Sequence, residues 1–162
     1  MSKAFTKEDE AEAPLAVPRR PALPKGQANY VTAAGMQALR DEHTALVAAR
    51  AAVSTDVAAL ARVHAQLVEL EARIGSAVVV TPSSASHVRF GTYVAIRNQQ
   101  GTRTTYQVVG VDEADAHKGR LSFVSPLARA LMGHAAGDVV TFTTPHGEEE
   151  IEILSVSVTG SA

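Results

Sequence analysis

The chain has 162 residues, 46% of them hydrophobic, with 15 basic and 17 acidic side chains and no cysteine. That length admits one ordinary core, or a small core carrying an extended arm, while a net charge of −2 offers no polyelectrolyte field for holding bare nucleic acid. Lack of cysteine removes disulfides, thiolate metal sites and cysteine nucleophiles together, and no apolar run is long enough to span a bilayer, so a cytoplasmic protein without a membrane contact is expected.

Residues 1–29 are charged and then proline-rich, with Pro14, Pro18, Pro21 and Pro24 interrupting any regular element, and read as a disordered tail. The stretch 32–73 follows, rich in alanine, leucine and valine, free of proline and with Gly35 alone near its start, and should be helical. Thr32 is suited to N-cap it, because its hydroxyl can accept from an orphan N–H of the first turn, and Gly75 supplies a matching stop.

Leu60, Val63, Leu67, Leu70 and Ile74 fall at alternating three- and four-residue steps, as do Met36, Leu39, His43, Leu46, Arg50 and Val53. Between the two runs lie Ser54, Thr55 and Asp56, which prefer caps and turns to helix interiors. Folding back there opposes Met36 to Ile74, Leu39 to Leu70, His43 to Leu67, Leu46 to Val63 and Arg50 to Leu60, a consistent register that predicts an antiparallel helical hairpin over 30–75 with Ser54, Thr55 and Asp56 at its tip. One uninterrupted helix is the alternative, and its length weighs against it.

Beyond residue 76 the periodicity turns to strands. They are expected at Val78-Val79-Val80, 87–97, 102–109, 121–124, 139–143 and 150–158, with Asn98-Gln99-Gln100-Gly101 as a hairpin turn. Ser125 as N-cap, Pro126 at N1 and Gly133 as stop mark one short helix among them. The fold class is therefore α+β: a helical hairpin, then a small antiparallel sheet domain over 76–162 with one short helix packed on it.

Motifs for independent chemistry do not occur: no phosphate-binding glycine loop, no dinucleotide fingerprint, no His-Glu-x-x-His pair and no nucleophile elbow. His43 and His64 come to neighbouring levels of the hairpin without a third ligand and read as parts of a polar seam. His87, His117, His134 and His146 are scattered without ligand spacing. Asp112, Glu113 and Asp115 read as a solvated turn, and Glu148-Glu149-Glu150 as a charged edge that discourages sheet-to-sheet association. No catalytic residue, cofactor or metal is assigned.

The stretch 87–158 resembles the globular domain of the GreA/GreB transcription factors. The matching strings are Phe90-Gly91, Tyr106-Gln107-Val108-Val109-Gly110, Asp112-Glu113, Ser125-Pro126-Leu127-Ala128-Arg129-Ala130-Leu131, Gly137-Asp138 and Thr144-Pro145-His146-Gly147-Glu148. Lys3-Ala4-Phe5-Thr6-Lys7-Glu8 and Tyr30-Val31-Thr32 are similar to a GreB-like branch. The resemblance implies an FKBP-like domain that grips the rim of the RNA polymerase secondary channel. It also implies a hairpin that enters the channel with acidic residues at its tip, where they help hold magnesium and water for cleavage of backtracked RNA. Carried onto this chain, docking would centre on Ser125, Pro126 and Leu127, with Arg129 beside them, while Leu131 fills the core.

Two departures stand out. Val124 occupies the place of an acidic residue in the family pattern, and the family's acidic tip string is missing, leaving Asp56 alone at the turn. Each arm of the hairpin is also shorter by roughly ten residues, or about 15 Å at the helical rise. The expectation is a monomeric regulator at the channel rim that does not stimulate cleavage. The rivals are a cleavage factor using Asp56, and an interaction module resembling Rnk, the nucleoside diphosphate kinase regulator. A prolyl isomerase is disfavoured by 4% aromatic content.

Overall fold

A computed structural model describes residues 20–160. The first of these, 20–27, belong to the stretch read above as disordered, yet they lie against the rest of the chain. Leu23 packs on the sheet core, and Gln27 N–H donates to the Pro24 carbonyl (3.1 Å) across a turn at Gly26. Pro21 and Pro24 restrict the chain before it docks, so ordering it costs less entropy than composition alone suggests. Residues 1–19 of the expected tail lie outside the described residues.

Strand β1 (Asn29–Val31) leads into helix α1 (Ala33–Ala52), and α2 (Val57–Ser76) returns antiparallel to it. Twenty residues per helix make an arm about 30 Å long. Thr32 caps α1 as expected, its hydroxyl accepting from Gly35 N–H at 3.0 Å. The reversal falls at the expected place: α1 is capped by Val53, Asp56 N–H donates to the Val53 carbonyl (3.0 Å), and the Asp56 carboxylate accepts from Ala59 N–H (3.0 Å) to start α2. The chain is a hairpin, not one long helix.

Leu39 and Leu70 are buried together with Val31 at the base of the seam, flanked by Met36, Leu46 and Ile74, and Leu67 is buried as well. Toward the tip the seam thins to alanine and valine, and Val57 is left 83% exposed.

Gly75 does not end α2. The helix continues through Ser76, whose hydroxyl donates to the Arg73 carbonyl (3.1 Å), and passes at Ala77 directly into β2 (Ala77–Val79). Strand β2 pairs in parallel with β1, Tyr30 opposite Val78. The Val78-Val79-Val80 run, expected in the main sheet, thus closes a two-stranded ribbon at the foot of the arm.

The main sheet has the order β5-β4-β3-β7-β6, from β3 (Tyr93–Asn98), β4 (Arg103–Val109), β5 (Arg120–Ser122), β6 (Val139–Thr144) and β7 (Gly147–Ser157). The expected strand from 87 begins only at Tyr93, because Arg89 to Thr92 form a turn in which the buried Thr92 hydroxyl bonds both the N–H and the carbonyl of Arg89. The sheet is mixed rather than wholly antiparallel. Two 3-10 turns, Val111–Glu113 and Ala116–Lys118, carry the chain back so that β5 runs parallel to β4, Gln107 opposite Arg120.

Helix α3 (Pro126–Leu131) closes one face over Val88, Val94, Val108 and Ile153, which are fully buried with Leu131. Glu148-Glu149-Glu150 lie on β7 where it projects past the end of β3, paired to β6 on one side only.

Candidate functional site

Three places bear the residues singled out from sequence: the arm tip, the α3 corner and the joint between them.

At the tip, Ser54, Thr55 and Asp56 are all exposed. The Asp56 carboxylate is engaged as the N-cap of α2 through Ala59 N–H. Among residues 43–68 Asp56 is the sole acid, set against Arg50 and Arg62. Further down the arm His43 Nε2 lies 3.2 Å from Glu71, whereas His64 is exposed. Among the described residues no group of three or more His, Asp or Glu side chains is placed to hold a metal ion.

At the α3 corner, the Ser125 hydroxyl accepts from Ala128 N–H (3.2 Å), and Pro126 sits at N1 with its ring exposed. Arg129, one turn along, is exposed and has no ion pair among the described residues, and Met132 beyond it is 37% exposed. Steps of three put Pro126, Arg129 and Met132 on one ridge. Leu127 is partly buried and packs on the core, and Leu131 is fully buried within it. The corner therefore presents Pro126 and Arg129 outward more than Leu127. Ser125 is half-buried and also serves the helix.

Other family-matching strings make the turns of the fold. Gly137, at φ +93°, donates its N–H to the Ile153 carbonyl (2.8 Å). The Asp138 carboxylate accepts from Ala135 N–H (2.8 Å), and that bond, with His134 Nδ1 at 3.4 Å, holds it below the usual aspartate value. Thr144 Oγ1 donates to the Gly147 carbonyl (2.9 Å) across the β6–β7 turn.

The joint was not anticipated. Asp112 and Glu113, read as a solvated turn, face the foot of the arm. The Glu113 carboxylate accepts from Thr32 N–H (3.0 Å), from the Thr32 hydroxyl and from Gly110 N–H (3.1 Å). Asp112, its side chain only 5% exposed, lies 3.3 Å from Arg20 Nη1 and 3.4 Å from Arg73 Nε. Arg20 also pairs with Glu42 of α1, and Arg73 Nη2 donates to the Pro21 carbonyl (2.7 Å). Asn29 Nδ2 donates to the Arg73 carbonyl at 2.9 Å.

Tyr30 packs its ring against Phe90 and Phe123, with centroids 5.7 Å apart in each case, and Phe90 meets Phe123 edge to face at 5.5 Å. These rings pack the joint between β1 and the head. One sequence signal pointed here: a glycine in the first turn of an alanine-rich helix marks a close approach.

An arm anchored at its foot to a small mixed-sheet head defines a two-part protein. Residues 82–158 match the family described as "Transcription elongation factor, GreA/GreB, C-term". Transcription elongation factor GreB of Neisseria meningitidis serogroup B is 35% identical over 151 residues, covering 79% of this chain and 93% of that protein. Since 79% of 162 residues is about 128, the relative carries roughly 20 residues more over the matched span. Transcription elongation factor GreA of Pseudomonas aeruginosa is 44% identical over 98 residues, covering 58% of this chain and 62% of that protein, so the chain spans under two thirds of that relative. A solved structure of GreA factor homolog 1 from Thermus thermophilus is 24% identical with a TM-score of 0.40, covering 81% of this chain and 99% of that one. The chain belongs to the GreA/GreB family of transcription elongation factors.

Proposed function

We propose that this chain acts on RNA polymerase at the secondary-channel entrance, docking through the α3 corner and extending a short arm that regulates elongation without stimulating transcript cleavage. The observation that carries this reading is the state of the tip. Its single carboxylate, Asp56, is committed to capping α2, and no second acid lies between residues 43 and 68. Magnesium acting on a phosphate normally takes one or two carboxylates together with the phosphate oxygens, and here one oxygen of the single carboxylate is already taken by Ala59 N–H. The arm of about 30 Å, and the roughly 20 residues by which the GreB relative exceeds this chain over the matched span, support a tip that stops short of the polymerase centre.

On this reading the protein has no chemistry of its own, works as a monomer in the cytoplasm, and excludes other factors from the channel by occupying it. Pro126 and Arg129 supply the exposed part of the docking contact, with Ser125 setting the corner and Leu127 backing it.

Halted, backtracked elongation complexes provide the test. With this protein alone the RNA should stay intact, and adding it before a cleavage-competent Gre factor should slow that factor's cleavage. RNA cleavage by this protein, lost in Asp56→Ala, would instead make Asp56 a working tip residue. Failure to slow the competent factor would remove the channel from the proposal.

A further inference from the structure

We infer that Asp112 and Glu113 are positioning residues: from one turn of the head they grip both helices of the arm, and so fix the direction in which the tip points.

Geometry carries the argument. The arm is joined covalently to the head through β2 alone, and β1 is held to β2 by pairing, the two strands pairing only with each other at the foot. A two-stranded ribbon of three residues per strand is marginal by itself, and Tyr30 seats it on Phe90 and Phe123 of the head, an apolar contact that fixes its place but not the direction of the arm beyond it. A single further contact would leave an axis to turn about, whereas two contacts on different helices remove it.

Asp112 and Glu113 supply those two. Glu113 holds the start of α1 through Thr32 N–H, the Thr32 hydroxyl and, within the head, Gly110 N–H. Asp112 pairs with the end of α2 by charge, Arg73 Nε standing 3.4 Å from Oδ2 without a hydrogen bond. The segment 20–27 braces the second contact, with Arg20 bridging Asp112 to Glu42 of α1 and the Pro21 carbonyl accepting from Arg73. Close approach is built in as well: a Cβ added at Gly35 would stand 2.5 Å from Glu113 Oε2, and one at Gly110 would stand 2.5 Å from the Tyr30 carbonyl. The Glu113–Thr32 and Asp112–Arg20 hydrogen bonds are charge-assisted and part-buried, and the Asp112–Arg73 pair adds a charge attraction less screened than at the surface.

The consequence for function rests on the proposed role of the arm, because a lever about 30 Å long turns a tilt of about 20° at its foot into about 10 Å at the tip. The inference about direction does not rest on it and is tested on the free protein.

The chain has no native cysteine, so Ser54→Cys at the tip and Thr143→Cys on the head, both exposed, accept spin labels without background. Pulsed electron resonance then gives the tip-to-head distance distribution. The parent should give one narrow peak. Asp112→Asn with Glu113→Gln, which keeps shape but removes both charges and puts amide N–H groups against donors, should broaden it at least about twofold with the far-ultraviolet spectrum unchanged.

Should that pair fail to fold, Arg73→Leu breaks the Asp112 contact from the arm side and leaves the head intact. A merely stabilising role would lower the melting temperature and leave the distribution narrow below it. That outcome in either variant overturns the inference.

Discussion

Gly35→Ala tests the Glu113 contact through a change that ordinarily helps a helix. Alanine is favoured over glycine in a helix interior by about 1 kcal/mol, and by about half that in the first turn where Gly35 lies. Here the added methyl would meet the Glu113 carboxylate, with Oε2 at 2.5 Å, so the carboxylate has to withdraw. Withdrawal leaves Thr32 N–H, the Thr32 hydroxyl and Gly110 N–H without their acceptor. Hydrogen bonds to a charged group are worth about 1.5–3 kcal/mol each, and water recovers part of that at a half-buried site, so a loss of about 3 kcal/mol in all is reasonable. Gly35→Ala should therefore destabilise by about 2 kcal/mol net.

In a Glu113→Ala background the obstacle is gone, and the same substitution should stabilise by a few tenths to about 1 kcal/mol. The sign reversal is the signature. Urea unfolding of the four proteins measures it as a coupling energy of about 2–3 kcal/mol, the range for groups in direct contact. If Gly35→Ala raises the urea midpoint equally in both backgrounds, the Glu113 contact is not formed in solution and the two-point grip fails with it.

At the proposed docking corner, Arg129→Glu should weaken polymerase binding about tenfold, with the melting temperature unmoved because Arg129 is exposed. Leu131→Ala, in a fully buried position, should instead cost about 3 kcal/mol of stability in urea, and equal effects of the two changes on binding at a temperature where both proteins are folded would argue that the corner is not the contact. Asp56→Ala removes the cap of α2 and should lower arm stability by about 1 kcal/mol, read from the thermal loss of helical ellipticity, while Asp56→Asn stays near the parent. Asp138 titrates below 3.8 in the folded chain, held down first by Ala135 N–H and then by His134. A lowered folded value means that its stabilising share is fully present above the unfolded value near 3.8 and is lost as pH falls through the folded one. Asp138→Asn should therefore show a shallower fall in stability below pH ~4, and an unchanged acid limb would remove Asp138 from the account.

What the sequence disclosed and what it hid divide along a physical line. Thr32, the Ser54-Thr55-Asp56 break and Ser125-Pro126 act within one helical turn of themselves, and each stands where cap chemistry placed it. The Leu39–Leu70 seam was legible for a related reason: a repeat of three and four residues fixes which face is buried, whatever lies opposite. Gly75 misled because a C-cap glycine is only a common way to stop a helix, and here the chain stops by entering β2.

The parallel β5 and the joint were hidden because both depend on how two 3-10 turns return the chain, which no hydrophobic period encodes. Asp112-Glu113 is the sharpest case. In sequence, an acidic pair after a strand is indistinguishable from a solvated loop, and its partners stand 81 residues away at Thr32, 92 at Arg20 and 39 at Arg73. Long-range charge contacts of this kind leave a trace only where they force a neighbour to give up its side chain. Gly35, placed in the first turn of a helix otherwise built from strong helix formers, is that trace. A glycine that weakens the helix it begins is retained at a cost unless something must pass close by, and the Glu113 carboxylate occupies that space.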